Sequence, residues 1–174
     1  VLRDNQIGYD PGPQRMSRAT GLPHLGEGVV IPSFDATGRL TYAQTRYLDP
    51  DAAAERKYDN PTRQHGTKPH LSYPRRPDPR CNASAIIVCE GVIDALTIIG
   101  AGHDAVALVA AGDAESVVKQ LAQLDRPLLI AIDCDTAGNN AADTLLHHLG
   151  ARHAARVTIP GDINDLAQRH GDRF

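Results

Sequence analysis

The two halves of the chain differ in hydrophobic pattern. From Ala85 on, short apolar runs alternate with segments of helical period, and before it neither period is sustained for long. Residues 85 to 89 and 128 to 132 are almost wholly apolar runs of strand length, as expected of strands covered on both faces in a parallel sheet. Between them, Val92, Ala95, Leu96 and Ile99 recur at i, i+3, i+4 and i+7 and predict a helix that Gly100 to Gly102 ends. Val106 to Ala110 predicts the next strand. A second helix follows, capped by Asp113, with Ser116 in its first turn and Val117, Val118, Leu121 and Leu124 facing the core. Ala141, Ala142, Leu145, Leu146 and Leu149 predict a third helix, stopped by Gly150. A strand over Arg156 to Pro160 and a short helix over Asp165 to His170 complete the pattern. Strands alternating with helices predict an α/β domain with a mainly parallel sheet flanked by helices, here over residues 83–174.

Residues 1–82 read as a separate, small α+β subdomain. A Gly- and Pro-rich lead-in, with a short helix around Pro13 to Thr20, precedes a hairpin. Its first strand covers Val29 to Phe34 and its second Leu40 to Leu48, joined by an Asp35 to Gly38 turn in which Gly supplies the positive φ. Pro32 lacks a ladder donor, which predicts an edge position for the first strand. Residues 49 to 82 read as polar loop, with Asn60-Pro61 and Asp78-Pro79 as turn signals.

Charge sharpens the division. Residues 1–82 carry 12 Lys or Arg against 9 Asp or Glu, whereas residues 83–174 carry 6 against 12. A basic module beside an acidic one fits a protein that handles phosphates and cations. Lys57, Arg63, Lys68, Arg75 and Arg76 together form a set suited to tracking a phosphate backbone, though each alone reads better as a solvated loop residue. Cys81, Cys89 and Cys134 include no Cys-x-x-Cys pair, so reduced thiols, two of them in core strands, are expected rather than zinc. No apolar run reaches the roughly 18 residues of a membrane helix, and the start has no secretory pattern. A cytoplasmic protein without membrane contact is therefore expected, and the missing initiator Met fits a processed or excised chain.

The chemistry resides in carboxylates. Both outer strand runs of the second half end in acids: Glu90 after the first, Asp133 and Asp135 after the last. In one parallel sheet these emerge together at the carboxyl edge, where open α/β sheets bind ligands. Two carboxylates about 4 Å apart repel by roughly 4 kcal/mol at an effective dielectric of 20, and no Lys or Arg lies within either run. A hard divalent cation offsets such a cluster, and Mg²⁺ is the usual one where phosphates complete the shell. The plainer reading is helix capping, which suits Asp135 before Thr136 but not Glu90.

Val88-Cys-Glu-Gly-Val-Ile-Asp-Ala95 followed by Ile130-Ala-Ile-Asp-Cys-Asp-Thr-Ala-Gly138 resembles the Toprim module of bacterial-type primases, topoisomerases and some nucleases. The resemblance implies a Rossmann-like fold and Mg²⁺ ligation by Glu90, Asp133 and Asp135, with Mn²⁺ able to substitute. Pro160-Gly-Asp-Ile-Asn-Asp165 is similar to the third acidic segment of primases, which implies a metal role for Asp162. Gly28-Val-Val-Ile-Pro32, Arg46 and Lys57-Tyr-Asp-Asn-Pro61 are similar to the basic subdomain before Toprim in bacterial and phage primases. That similarity implies nucleotide or template contacts for Arg46 and Lys57, with Lys68 and Arg63 as further candidates. The sequence contains neither the zinc ribbon nor the helicase P-loop of longer primases. It therefore resembles a catalytic core that makes RNA primers from ribonucleoside triphosphates on single-stranded DNA, beside a separate zinc module and a replicative helicase.

Two other classes share these motifs. One is a Toprim nuclease or topoisomerase-like strand cleaver, but all five tyrosines lie at or before Tyr73, none in a recognisable nucleophile context. The other is a non-catalytic DNA-binding module that keeps the fold.

Overall fold

A computed structural model describes residues 1–12, 25–64, 66–75, 84–110 and 114–171. It comprises two compact units that part between Pro69 and His70. The change of pattern in the sequence comes later, after Asn82. The helix expected around Pro13 to Thr20, the Asp113 cap, Arg76 and Cys81 lie outside the described residues.

The first unit is built on an antiparallel sheet of β1 (Gly8–Asp10), β2 (Gly28–Phe34), β3 (Leu40–Tyr47) and β4 (Tyr58–Asp59), in that spatial order. The β2–β3 turn forms as its sequence predicts. Asp35 Oδ1 accepts from the amides of Thr37 (2.9 Å) and Arg39 (3.0 Å), and Gly38 takes φ +80°. The expected edge position of β2 is not found, because β1 and β3 flank it. The proline rule nevertheless operates locally: β1 pairs with Gly28 to Val30, so Pro32 lies beyond the β1 ladder and, among the described residues, faces a partner on the β3 side alone. The loop expected over residues 49 to 82 contains a helix, α1 (Pro50–Glu55). Asp49 caps it by accepting from the amides of Asp51 and Ala52, and Pro50 sits in the first turn, where its missing N–H costs nothing. Asp49-Pro50 is thus a helix start.

The second unit holds β5 (Leu71–Ser72), β6 (Ile86–Glu90), α2 (Val92–Gly100), β7 (Asp104–Leu108), α3 (Ala114–Leu121), β8 (Leu128–Ala131), α4 (Thr136–Leu149), β9 (Ala154–Arg156) and α5 (Ile163–His170). The sheet order is β5-β7-β6-β8-β9, parallel except for β5, so the expected mainly parallel α/β fold is present. Val88, Val106, Leu128, Ile130, Leu121 and Leu145 fill its core.

The elements shift by a few residues from their expected spans. The last strand comes earlier, at Ala154–Arg156, because Arg156 is the final residue able to pair with Ile130. In α2, Ile98 is buried where Leu96 was expected, both lying within one apolar arc. In α4, Ala141 is exposed while Gly138 is buried. Cys89 is a core thiol, its pKa pushed well up by burial, but Cys134 is exposed because β8 ends before it.

Candidate functional site

Adjacent strands β6 and β8 run parallel, with Cys89 level with Ala131. The chain leaves β6 toward β7 on one side, and β8 lies on the other. The carboxyl ends of β6 and β8 therefore form the switch point at which such sheets open a binding crevice. Glu90 is the last residue of β6, and Asp133 follows β8 after the buried Ile132. Gly91 turns the chain directly after Glu90 with φ +106°, a conformation that L side chains adopt only with strain, and hands it to α2.

The loop after β8 is tightly cast. Asp135 caps α4, its Oδ1 accepting from the Gly138 amide at 2.7 Å, so the capping reading of this residue holds. Gly138 brings the first turn of α4 against the loop: a Cβ there would stand 2.2 Å from the Asp133 carbonyl oxygen. Asp162 caps α5 in the same way, accepting from the amides of Asn164 (2.7 Å) and Asp165 (3.1 Å). Capping occupies one oxygen of each carboxylate and places each at a helix N-terminus, where the backbone dipoles favour negative charge. The carboxylates of Glu90, Asp133, Asp135 and Asp162 form no ion pair among the described residues.

These acids feel one another. Burial, then the charges of Asp133 and Asp135, raises the Glu90 carboxyl above its ordinary range. The sequence reading missed a fifth member, Asp94, in the first turn of α2. Its carboxyl is pushed up to about 7, first by burial and then by Asp162, with Asp133 and Glu90 adding to the rise and the Asn164 amide opposing it. Asn164 Nδ2 donates to Asp94 Oδ1 at 2.6 Å, and Thr97 Oγ1 donates to Asn164 Oδ1 at 2.5 Å, tying α2 to α5.

This raised pKa gives a stability prediction. The unfolded chain releases the Asp94 proton near pH 4, but the folded chain keeps it until about pH 7. Between those values the folded state binds more protons, so stability falls as pH rises. In EDTA, Asp94→Asn, which retains an acceptor for Asn164, should melt near wild type at pH 4 and above it at pH 8. Allowing for solvent screening of a half-buried group, the gain is about 1–2 kcal/mol, or roughly 3–6 °C. A difference that does not change with pH would refute the assignment.

All five groups are hard oxygen donors. Among the described residues no three His, Cys, Asp or Glu side chains stand close enough to hold a common ion.

In the first unit, β3 and β4 bring two of the four basic candidates together. Arg46 Nη1 donates to the Tyr58 hydroxyl at 3.0 Å, and its guanidinium lies 5.6 Å from the centre of that ring. Lys57 Nζ lies 5.9 Å from the same centre. Tyr58 thus organises two cations, each attracted by the negative face of the ring. Arg63 and Lys68 are exposed and join no such group.

The Toprim-like family matches residues 87–167, the stretch that carries all five acids. No curated protein matches the chain in sequence. Among solved structures, a DNA primase domain from Pseudomonas aeruginosa is similar at 20% identity and a TM-score of 0.68, over 97% of this chain and 63% of that one. The zinc-binding and RNA polymerase domains of the Aquifex aeolicus primase give 20% and 0.69, over 98% and 49%. The primase fragment of the bacteriophage T7 primase-helicase protein gives 19% and 0.64, over 99% and 66%. The chain thus spans from about half to just under two thirds of these structures. Residues 87–167 match the Toprim-like family, and the chain is similar in fold to these bacterial and phage DNA primase structures.

Proposed function

We propose that the chain is a primase catalytic core, a nucleotidyltransferase that makes RNA primers from ribonucleoside triphosphates on single-stranded DNA. The observation that carries this reading is the placement of Glu90 and Asp133 at the ends of neighbouring parallel strands, their carboxylates without cationic partners among the described residues, in a fold similar to that of these primases. Mg²⁺, or Mn²⁺ in its place, fits the donor set. Such an ion is usually held by one or two carboxylates, with water and phosphate oxygens completing its octahedron, so an open acidic cluster suits it better than a closed cage would. Glu90, Asp133, Asp135 and Asp162 would supply these carboxylates, one or two to an ion, the two capping aspartates through their second oxygens. When bound, the ion would neutralise charge developing on the triphosphate during phosphoryl transfer.

Arg46 and Lys57, gathered on Tyr58, are assigned to nucleotide or template phosphates, with Arg63 and Lys68 as outlying contacts. The Aquifex structure includes a zinc-binding domain, and the T7 fragment comes from a primase-helicase. By analogy the partners of this chain are a zinc module for template recognition and a replicative helicase, working in the cytoplasm. No helix among the described residues is long and apolar enough to cross a membrane.

The test is incubation with single-stranded DNA, four ribonucleoside triphosphates and Mg²⁺ or Mn²⁺. Template-dependent oligoribonucleotides are expected. Metal-dependent nicking of DNA without nucleotides would instead place the chain among the strand cleavers, and neither product would leave a non-catalytic DNA-binding module.

A further inference from the structure

Arg156, the last residue of β9, reaches across to the loop that carries Asp133 and Asp135. Its Nη2 donates to the Ile132 carbonyl at 2.8 Å and to Asn139 Oδ1 at 3.3 Å, and it lies 3.5 Å from the Asp133 carbonyl oxygen and 3.9 Å from Cys134 Sγ. These acceptors belong to the end of β8, the acidic loop and the first turn of α4. Asn139 closes the bracket from the other side, its Nδ2 donating to the Cys134 carbonyl at 3.2 Å. The Arg156 backbone is itself fixed, paired with Ile130 in the β8–β9 ladder and followed by a Val157 amide that donates to the Ile130 carbonyl at 2.9 Å.

Where a guanidinium meets a carboxylate it frequently forms a strong two-pronged pair. Arg156 sits on the loop bearing two aspartates and pairs with neither; its second nitrogen, Nη1, is buried and makes no hydrogen bond among the described residues. Leaving a buried donor without a partner is costly, more so for a charged group. This arrangement holds the loop by its main chain and leaves the carboxylates open, with a fixed positive charge behind them.

We propose that Arg156 is a positioning residue of the acidic site: through the Ile132 carbonyl and Asn139 it fixes the loop that presents Asp133 and Asp135 to a divalent cation. The inference rests on the cation reading of the cluster. A lysine would keep the charge but not the function, because a single ammonium lacks the planar spread of donors that bridges strand end and helix turn.

The experiment measures Mn²⁺ binding to the full chain by the electron paramagnetic resonance signal of free ion, for wild type, Arg156→Lys and Arg156→Gln. Melting in EDTA, run in parallel, reports the fold. Expected is Mn²⁺ affinity about 10- to 100-fold weaker in both variants, the usual range for residues that orient metal ligands. A role in stability alone would lower melting temperature and leave the Mn²⁺ affinity of the folded chain unchanged, which would overturn the proposal. If either Arg156 variant fails to fold, Asn139→Ala, at an exposed helix position, removes the other half of the bracket and should show the same loss. Wild type that binds no Mn²⁺ would overturn the cation reading and this proposal together; wild type that binds, with variants matching it, would overturn this proposal alone.

Discussion

Gly138→Ala should destabilise the protein by about 2–3 kcal/mol, lowering its melting temperature by roughly 5–10 °C. In an ordinary helix the substitution has the opposite sign, since alanine is favoured over glycine by about 1 kcal/mol. Gly138 lies in the first turn of α4, so propensity alone predicts a gain. Sterics reverse it: the new Cβ would stand 2.2 Å from the Asp133 carbonyl oxygen and 3.1 Å from Ile132 Cγ2. The first contact is with backbone, which cannot rotate away as a flexible side chain would. Either the acidic loop or the helix must move, and the Asp135 cap on the Gly138 amide moves with them. Ala141→Gly provides the control, an exposed position of the same helix where about 1 kcal/mol should be lost by propensity. A Gly138→Ala variant that melts at or above wild type would show that the loop has slack. The clash argument would then be wrong.

The order of strands and helices after Ala85 was legible because the central strands β6, β7 and β8 are largely buried and the helices bury one face, so period and apolarity agree; β9, with Ala155 exposed, has no such run, and its span was misplaced. The strand-end position of Glu90 and Asp133 follows from the same pattern, since an apolar run that stops at a carboxylate fixes where the chain emerges. What the pattern could not carry was pairing. Nothing in Leu71–Ser72 says that these two residues join the second sheet, antiparallel to β7, because two-residue strands have no period. Helix α1 was hidden because Asp-Pro is both a turn signal and a helix start, and the three alanines after Asp51 were what separated the two. Asp94 and Arg156 were missed for one reason: their importance lies in contacts across elements, to Asn164 on α5 and to the end of β8. Sequence supplies residue types and local period, but only the sheet order brings β9 beside β8.

On the proposed primase reading, Asp133→Asn should abolish most primer synthesis while leaving the fold intact, and the two effects separate because of where this carboxylate stands. Asp133 is exposed, and its side chain makes no hydrogen bond or ion pair among the described residues. Removing its charge therefore breaks no contact and relieves part of the repulsion felt by Glu90 and Asp94. In EDTA the variant should melt at or slightly above wild type. With Mg²⁺ the order should invert. A cation that binds only the folded chain adds RT ln(1 + [Mg²⁺]/Kd), about 2.7 kcal/mol at a hundredfold excess over Kd, and the variant should forfeit most of that. Because mutating residues that merely orient metal ligands costs about 10- to 100-fold, losing a ligand should reduce ribonucleotide incorporation at least about a hundredfold. Asp135→Ala should differ in kind, since Asp135 also accepts the Gly138 amide as a helix cap and truncating it removes that acceptor, weakening α4 with or without metal. The pair of variants thus distinguishes charge held for a cation from charge held for the fold: Mg²⁺-dependent melting that Asp133→Asn leaves untouched would assign the carboxylate to neither.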